Sequence, residues 1–287
     1  MRAIVPGAVA LLCAYACVFS ACPKERPYYY AAPAAGTYFT LRCYSAAPRA
    51  EMEKAVSAAF ACMRRWELVL SERDARSELS KINAAPDGVR IPISPELADA
   101  LRVAFSIAEE TKGRFDPTLG PLVRLWRRRS RTGADSKPES LALASAASGY
   151  HKLTLGQNYI LKTVPGMHID LGGIGKGYML DRMAEVLRRH GVSRYLLSSG
   201  SDFLAGDPPP GSCAWKITVD GTEAELVHAA LSTSGAEYQS AAIDGVVESH
   251  IIDSETGRGV PRKRSVTVKA NTAAEADARA TGKYVGK

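Results

Sequence analysis

The chain has 287 residues, of which 46% are hydrophobic and 23% charged, values typical of a globular protein with a sizeable core. Its formal net charge of +7 suits an anionic partner, such as nucleic acid, an anionic membrane surface or a phosphate-rich cofactor. The sequence has neither the aromatic–basic interleaving of an RNA-recognition motif nor zinc-finger spacing, so we expect no nucleic-acid partner.

The N-terminus has the pattern of an export signal. Arg2 is followed by Ala3–Cys22, a stretch without charge that is rich in Ala, Val, Leu and Cys. It closes on Phe19–Cys22 (FSAC), which resembles a lipoprotein cleavage box. We therefore expect residues 1–22 to be a lipoprotein signal peptide, with the lipid on Cys22, and residues 23–36 to be a tether. The alternative is an uncleaved anchor helix, and both place the remainder on the periplasmic side of the cytoplasmic membrane.

Three cysteines remain after the signal: Cys43, Cys62 and Cys213. Their spacing is not that of a metal site. One disulfide with one free thiol, or three buried thiols, are both compatible with this number.

Residues 37–287 are expected to form one large domain, or two closely joined ones, in which helices and strands are mixed without a regular βαβ repeat. The first part is predicted to contain a strand, a core-facing helix, a polar loop that runs into a short helix, and a capped helix with proline at its start. These are, in order, Thr37–Tyr44, Glu51–Trp66, Leu70–Asn83 and Ser94 to about Thr111.

The middle of the chain is more polar. Gly113–Trp126 begins with turn residues and ends in a predicted helical turn. Arg127–Glu139 is predicted to be a solvated surface loop, and a docking surface for an acidic partner or lipid headgroups is the alternative. Tyr150–Thr163 has the pattern of a hairpin around Gly156 to Asn158.

The last part is predicted to contain two helices and four strands. A helix over Tyr178–His190 ends at Gly191, and the sequence Thr272 to Glu275 is a capping box that places the start of another helix at Ala273. The predicted strands are Tyr195–Leu197 and Trp215–Val219, on either side of the turn-rich Ser198–Gly211, then Val246–Ile252 and Ser265–Ala270.

A glycine-rich loop lies immediately before one predicted helix. Asp170–Gly177 (DLGGIGKG) contains four glycines around Lys176. Glycines let main-chain N–H groups approach an anion, and a helix N-terminus and a lysine favour a phosphate there. The spacing is neither that of a Walker A loop nor that of a dinucleotide fingerprint. By itself the loop is equally compatible with a structural turn.

Two further groups could carry chemistry. Asp277 and Thr281 lie one turn apart on one face of a predicted helix, where a carboxylate and a hydroxyl could bind Mg²⁺ through oxygen. The alternative is that Asp277 is solvated and Thr281 merely packs. His250, near the end of a predicted strand and close to Asp253, could act as a general base, although a lone histidine can equally be structural.

Eight segments together give a specific resemblance. From about Gly36 to Gly282 the chain resembles the ApbE family, the FAD:protein FMN transferases. The segments that carry it stand in the family's order: AGTYFTL, LSERDARSELSKIN, GRFDPTLGPLVRLW, GYHKLTL, IDLGGIGKGYMLD, STSGAEY, SHIIDSETG and SVTVKANTAAEADARATG.

The resemblance implies a mixed α/β (α+β) fold in two closely joined lobes with the flavin between them. It implies cleavage of the FAD pyrophosphate with Mg²⁺, transfer of FMN to a Thr or Ser hydroxyl of a target flavoprotein of a membrane redox complex, and release of AMP. The alternatives are an FAD pyrophosphatase, in which water replaces the hydroxyl, a non-catalytic flavin-binding lipoprotein and a purely structural surface lipoprotein.

The resemblance also assigns residues by position. Asp277 and Thr281 match Mg²⁺ ligands, with the main-chain carbonyl of Gly173 as a third. His250 matches the proposed base. His250 and Asp277 together match the catalytic residues. The positions that match contacts to FAD are Ala35, Phe115, Asp116, Asp170, Lys176, Tyr238 and Ile252.

Several positions depart from the family pattern. Ala35 stands where the family has Met, and Arg73 stands where an aromatic residue or Asn lies beside the adenine. Ser199–Asp202 replaces Gly-Gly-Asp, and Trp126–Arg128 replaces the start of Trp-Gly-Phe-Gly. The domain is also expected to be short at its C-terminal end compared with the family.

Overall fold

The computed structural model describes residues 24–236, 239–261 and 264–286. Within these ranges the helices are α1 (Arg49–Leu70), α2 (Glu78–Ala84), α3 (Pro95–Glu110), α4 (Gly120–Thr132), α5 (Pro138–Ala146), α6 (Gly175–Arg189) and α7 (Ala273–Val285). The strands are β1 (Arg26–Ala34), β2 (Thr37–Ser45), β3 (Arg90–Pro92), β4 (Leu153–Leu155), β5 (Tyr159–Lys162), β6 (Arg194–Ser199), β7 (Asp202–Ala205), β8 (Trp215–Val219), β9 (Thr222–Leu226), β10 (Ala229–Ser234), β11 (Ser240–Ile243), β12 (Val246–Ile252), β13 (Gly259–Pro261) and β14 (Val266–Ala270). The prediction of a mixed α/β fold is confirmed.

The main sheet has six strands in the spatial order β1-β2-β6-β7-β10-β14. Every neighbouring pair is antiparallel. The predicted strand β2 shows why the sheet has a buried face: Phe39, Leu41 and Cys43 alternate inward, while Arg42 is exposed. A period of two puts one set of side chains on each face of a strand, so this face can carry the core.

Helices α1, α6 and α7 pack on the sheet and on one another. Met52, Val56 and Met63 of α1 recur at helical spacing and are buried, as the sequence predicts. Trp66 of α1 meets Tyr178 of α6 edge to face, with ring centroids 5.0 Å apart. The principal hydrophobic core therefore lies between the sheet and these helices.

The smaller sheets attach to this framework. Strands β11, β12 and β13 form a three-stranded antiparallel sheet, and β12 contacts both α4 and α7. Strands β4 and β5 form the predicted hairpin, which β3 extends. The hairpin of β8 and β9 covers a separate core cluster with Trp215 and Leu231. Strand β12 is thus placed between two helices.

Side-chain caps account for the two helix starts that the sequence predicts from capping residues. The Ser94 side chain accepts a hydrogen bond from the Leu97 N–H at 3.1 Å at the start of α3. The Thr272 hydroxyl accepts from the Glu275 N–H at 3.2 Å at the start of α7. Each side chain satisfies a main-chain donor that has no partner within the helix. Both predicted starts are confirmed.

The predicted surface loop over Arg127–Glu139 is wrong. Helix α4 continues to Thr132 and α5 begins at Pro138. Trp126 and Arg129 are both buried, and the Arg129 guanidinium is paired with carboxylates. The arginine-rich segment is therefore largely helical, and its one buried arginine, Arg129, has carboxylate partners elsewhere in the chain.

Three further boundaries differ from prediction. Arg26–Ala34 lies within the expected tether but forms β1, which pairs with β2 along its whole length. The turn-rich Ser198–Gly211 contains strand β7 and the end of β6. Helix α6 begins at Gly175, three residues before the predicted start at Tyr178. In each case pairing or packing with distant residues supplies order that the local sequence does not indicate.

The predicted signal peptide, its cleavage box and Cys22 lie outside the described residues. Within the part of the chain that the structure describes, no helix combines the length and apolar character needed to cross a membrane. Cys43, Cys62 and Cys213 are free thiols, of which Cys43 is buried and Cys213 exposed. The three thiols are therefore unpaired, but not all of them are buried.

Candidate functional site

Helices α6 and α7 approach each other closely at their N-terminal ends. A Cβ at Gly177 would lie 2.1 Å from the main-chain oxygen of Ala273, so only glycine fits there. The Asp181 carboxylate of α6 accepts from the N–H groups of Ala273 and Ala274, at 2.8 and 2.9 Å. This contact satisfies two donors at the start of α7. The glycine-rich loop and the capping box are thereby joined.

A partly exposed cation lies between two buried carboxylates at this junction. The Lys176 Nζ is 3.3 Å from Oδ2 of Asp277 on α7 and 3.3 Å from Oδ2 of Asp202 on β7. Asp202 is 1% exposed and Asp277 3% exposed. The Gly177 N–H also donates to Oδ2 of Asp277, at 3.3 Å. Lys176 and Asp277, predicted separately, are therefore in contact, and Asp202 completes the group.

This group carries one negative charge more than Lys176 can neutralise. Burial, and then the carboxylate of Asp202, raise the pKa of Asp277 to about 7, although Lys176 and the Gly177 N–H favour its ionised form. Burial acts against the charge of Lys176, but the two carboxylates prevail and raise its pKa. The second carboxylate therefore needs a proton or a further cation.

Three hydroxyl groups lie on β10 and α7, and one of them contacts a carboxylate. The Ser232 hydroxyl of β10 donates to Oδ1 of Asp202 at 2.5 Å, and the hydroxyls of Ser234 and Thr281 are 3.4 Å apart. A Cβ at Gly173 would lie 3.2 Å from the Thr281 hydroxyl and 3.4 Å from the ring of Phe115. The predicted residues Gly173, Thr281 and Phe115 are thus neighbours.

The donors here fit a hard divalent cation. Within the described ranges, no three or more His, Cys, Asp or Glu side chains form a group that could hold a metal ion. A cation at this site would therefore use a hydroxyl and a main-chain carbonyl beside carboxylate oxygen, all of which suit Mg²⁺. Asp277, Thr281 and the main chain of Gly173 would provide these three kinds of donor, and the excess negative charge would favour a cation.

A second ionic cluster lies at Asp170, the first residue of the glycine-rich loop. Its carboxylate accepts from the Gly172 N–H at 2.7 Å and lies 3.3 Å from Nη2 of Arg127, which also pairs with Glu72. Burial and the charge of Glu72 raise the pKa of Asp170. Burial would also raise the pKa of Glu72, but hydrogen bonds from His168 and Arg127 lower it to about 2. Glu72 is therefore the firmly ionised partner of Arg127.

Asp116 organises the chain before α4. Its buried carboxylate accepts from the N–H and hydroxyl of Thr118, at 2.7 and 2.6 Å, and from the Tyr150 N–H at 2.9 Å. Burial raises the pKa of Asp116 despite these bonds. The next carbonyl, that of Pro117, accepts from the Asp170 N–H at 2.8 Å. Asp116 therefore fixes the segment that lies beside the glycine-rich loop.

His250 has a defined orientation on β12. Its Nδ1 lies 3.1 Å from the carbonyl oxygen of Gln239, and its ring meets Trp126 edge to face at 6.5 Å. Because a carbonyl only accepts, the proton lies on Nδ1, and Nε2 keeps its lone pair. Burial lowers the pKa of His250, and the charges of Lys176, Arg127 and Arg73 lower it further. A neutral imidazole among cations can accept a proton at neutral pH.

The other predicted site residues have different surroundings. Ile252, two residues after His250, is buried against Leu119, Leu122 and Trp126. Ala35 lies in the turn between β1 and β2 at φ +49°, where its N–H donates to Glu67 at 2.7 Å. Tyr238 lies outside the described residues. The roles of these positions toward FAD stay predictions.

Sequence reasoning missed Asp202, Ser232, Ser234 and Arg127 as parts of this region. Asp202 stands in the segment Ser199–Asp202, where the sequence departs from the family's Gly-Gly-Asp but keeps its aspartate. That retained carboxylate was the one available signal. The two serines become recognisable only when β7 and β10 pair and place Ser232 opposite Asp202.

Residues 35–286 match the ApbE family. The FAD:protein FMN transferase of Klebsiella pneumoniae is 32% identical over 229 residues, which are 73% of this chain and 64% of that protein. The solved structure of a flavin transferase ApbE from Vibrio cholerae has a TM-score of 0.80 at 25% identity, with 91% of this chain and 87% of that chain covered. An ApbE protein from Thermotoga maritima gives 0.81 at 28% identity, with the same two coverages. The chain spans about two thirds of the length of the curated relatives. The chain belongs to the ApbE family.

Proposed function

We propose that this protein transfers FMN from FAD to a Thr or Ser hydroxyl of a target flavoprotein and releases AMP. The observation that carries the proposal is the contact of Lys176 with the buried carboxylates of Asp202 and Asp277, built at the glycine-rich loop of an ApbE-family chain. The names of the curated relatives support the same reaction. A site with an ammonium, acidic oxygen donors and a neutral histidine suits transfer of a phosphoryl-linked group.

The chemistry can be assigned to the residues of the chain. The acceptor oxygen attacks the phosphorus on the FMN side of the pyrophosphate, and the bond from that phosphorus to the bridging oxygen breaks. Nε2 of His250 takes the proton of the hydroxyl. AMP leaves with the bridging oxygen. The Lys176 ammonium has three N–H donors and contacts two carboxylates, so one donor is left to bind a phosphate oxygen.

We further propose that Mg²⁺ assists this reaction. Asp277, Thr281 and the main-chain carbonyl of Gly173 would hold it, and when bound it would neutralise charge on the phosphate oxygens. The support is the excess negative charge of the buried group and the neighbouring hydroxyls. Asp277 must be ionised to act as a ligand.

The Mg²⁺ proposal predicts a pH dependence of stability. Folding raises the pKa of Asp277 from 3.8 to about 7, so the folded protein binds the proton more tightly than the unfolded chain does. The contribution of this proton to the free energy of unfolding is lost as the pH rises through about 7. Added Mg²⁺ should therefore raise the melting temperature more at pH 8 than at pH 6, as measured by calorimetry. Asp277→Asn, which cannot ionise there, should lose this difference. An equal Mg²⁺ effect in the wild type at both pH values would contradict the assignment.

The reaction is tested by incubating the protein with FAD, with and without Mg²⁺, followed by nucleotide chromatography and by mass spectrometry of a candidate acceptor. We expect AMP with Mg²⁺ and an acceptor heavier by the mass of FMN less one water. AMP and free FMN at the same rate without acceptor would instead indicate an FAD pyrophosphatase. FAD bound without AMP would indicate a flavin-binding protein.

We also propose that the protein is exported and held by a lipid on Cys22 at the periplasmic side of the cytoplasmic membrane, where it would meet a subunit of a membrane redox complex. The support is the apolar, uncharged Ala3–Cys22 stretch. Strand β1 begins four residues after Cys22, so such a lipid would lie close to the sheet. Mass spectrometry of the mature N-terminus tests this, and an unmodified Cys22 would refute it.

A further inference from the structure

The pairing of β12 is irregular where it carries His250. Glu248 lies opposite Pro261 and Ile252 opposite Gly259, so the register with β13 shifts between them. A shift of this kind interrupts the ladder of main-chain hydrogen bonds. On this side His250 is therefore not held by regular strand pairing, whereas on the other side its N–H donates to the Gln239 carbonyl at 3.0 Å.

A buried ion pair lies at the edge of this irregularity. Nη1 and Nη2 of Arg129 donate to Oε2 and Oε1 of Glu248, at 3.1 and 2.8 Å. Arg129 is 2% exposed and Glu248 3% exposed. Oε2 of Glu248 also accepts from the Gly259 N–H at 3.1 Å. The glutamate thus links α4, β12 and β13 where the main-chain ladder is shifted.

Two outer charges complete this ion-pair network. Asp135 lies 2.8 Å from Nε of Arg129 and pairs with Arg258, whose Nη1 is 3.7 Å from Glu248. The four formal charges, two positive and two negative, sum to zero. Stability alone is a weak reason for such a network, because a buried ion pair gains little over apolar packing of similar volume.

The pair also lies in line with His250. Glu248, His250 and Ile252 of β12 all lie against helix α4, as their contacts show. Arg129, Trp126 and Leu122 recur at helical spacing on α4 and make these contacts: Arg129 binds Glu248, Trp126 meets His250, and Leu122 packs near Ile252. The ion pair therefore lies at one end of this row and the imidazole in its middle.

We propose that the Arg129–Glu248 pair is a positioning device for His250: it holds β12 at its irregular pairing so that the imidazole keeps Nδ1 on Gln239 and Nε2 free. This inference rests on the proposed function, in which His250 takes the proton of the acceptor. Arg129 and Glu248 are positioning residues. The charged groups that face His250 from neighbouring elements are Lys176 of α6, Arg127 of α4 and Arg73 of the loop before α2.

The test uses Arg129→Lys, which keeps the charge but loses the two-pronged geometry that only a guanidinium offers. Arg131→Lys is the matched control, since Arg131 lies on the same helix and is exposed. The readout is ¹⁵N NMR of the imidazole, with the His250 signal assigned by its absence in His250→Gln. It reports the tautomer and pKa of His250 in the folded protein, independently of FAD turnover.

In Arg129→Lys we expect His250 to populate both neutral tautomers and its pKa to rise by about 0.5 or more, as the ring gains solvent. AMP release should fall about tenfold or more in kcat, with KM for FAD changed less than about threefold. Arg131→Lys should match the wild type. A variant that is less stable but has unchanged His250 signals and kcat would overturn the proposal.

Glu248→Asp keeps the test decisive if Arg129→Lys does not fold. It also preserves charge, shortens the acceptor by one methylene group, and should shift the His250 signals in the same direction. If the wild type releases no AMP from FAD, the proposed function fails, and the NMR comparison still decides whether the pair positions His250. Unchanged tautomers in both folded variants would refute the positioning role.

Discussion

Replacing Asp277 with Asn is expected to lower Mg²⁺-dependent AMP release from FAD at least about 100-fold, because a bound metal contributes several kcal/mol and each 1.36 kcal/mol is tenfold in rate. The amide removes the carboxylate that Lys176 and the Gly177 N–H now contact. It also leaves Lys176 with Asp202 as a balanced pair. We therefore expect metal-free Asp277→Asn to be at least as stable as the wild type at pH 8.

The control for this substitution is Glu275→Gln, which makes the same charge change two residues earlier on α7. Glu275 is partly exposed and pairs with Arg279 at 3.3 Å, a surface contact that contributes little. Rates from steady-state AMP release and melting temperatures for both variants separate a ligand from a structural carboxylate. If Asp277→Asn retained more than about a tenth of the activity, the assignment of Asp277 as a metal ligand would be wrong.

The second large effect is expected at Gly177. In Gly177→Ala the new Cβ would meet the main-chain O and C of Ala273 and the N of Ala274, at 2.1, 2.5 and 2.8 Å. These are main-chain atoms, so no rotamer change relieves the clash, and the start of α7 must move away. Overpacking costs about 1–3 kcal/mol, and we expect the upper end, about 3 kcal/mol. Asp277 moves with α7, so FAD turnover should fall too.

Gly175 provides the matched control two residues earlier in α6. A Cβ there has nothing within 4 Å, and its φ is not in the left-handed region. Ala lowers the entropy of the unfolded chain, so Gly175→Ala should raise the free energy of unfolding by about 0.5–1 kcal/mol. Urea titrations of both variants make the comparison. Equal stability of the two would show that α6 and α7 do not meet as closely as described.

Much of the site was predictable because its signals are local. The capping box at Thr272 sets the start of α7, and from that start the spacing of Asp277 and Thr281 places both on one face. The glycines before α6 likewise indicate a close approach of main chain. These patterns depend on residues within one or two helical turns of each other, so they can be recognised in the sequence alone.

The rest of the site depends on contacts between distant parts of the chain. Asp202 reaches Lys176 only because β7 pairs with β6 and β10, and β7 is a short strand that begins with a charged residue. Arg129 can be buried because Glu248 neutralises its charge, and Glu248 lies 119 residues later in the chain. A local pattern of four arginines is the same whether or not such a carboxylate exists, so the surface-loop prediction could not be avoided.

Strand β10 is buried along its full length and pairs with β7 on one side and β14 on the other. Its Ala230 belongs to the principal core, while Leu231 belongs to the cluster under the β8–β9 hairpin. Displacing this strand would open two cores at once. The Asp202, Ser232 and Ser234 side of the site is therefore a fixed wall. A ligand that binds beside these side chains must therefore fit the positions that they already hold.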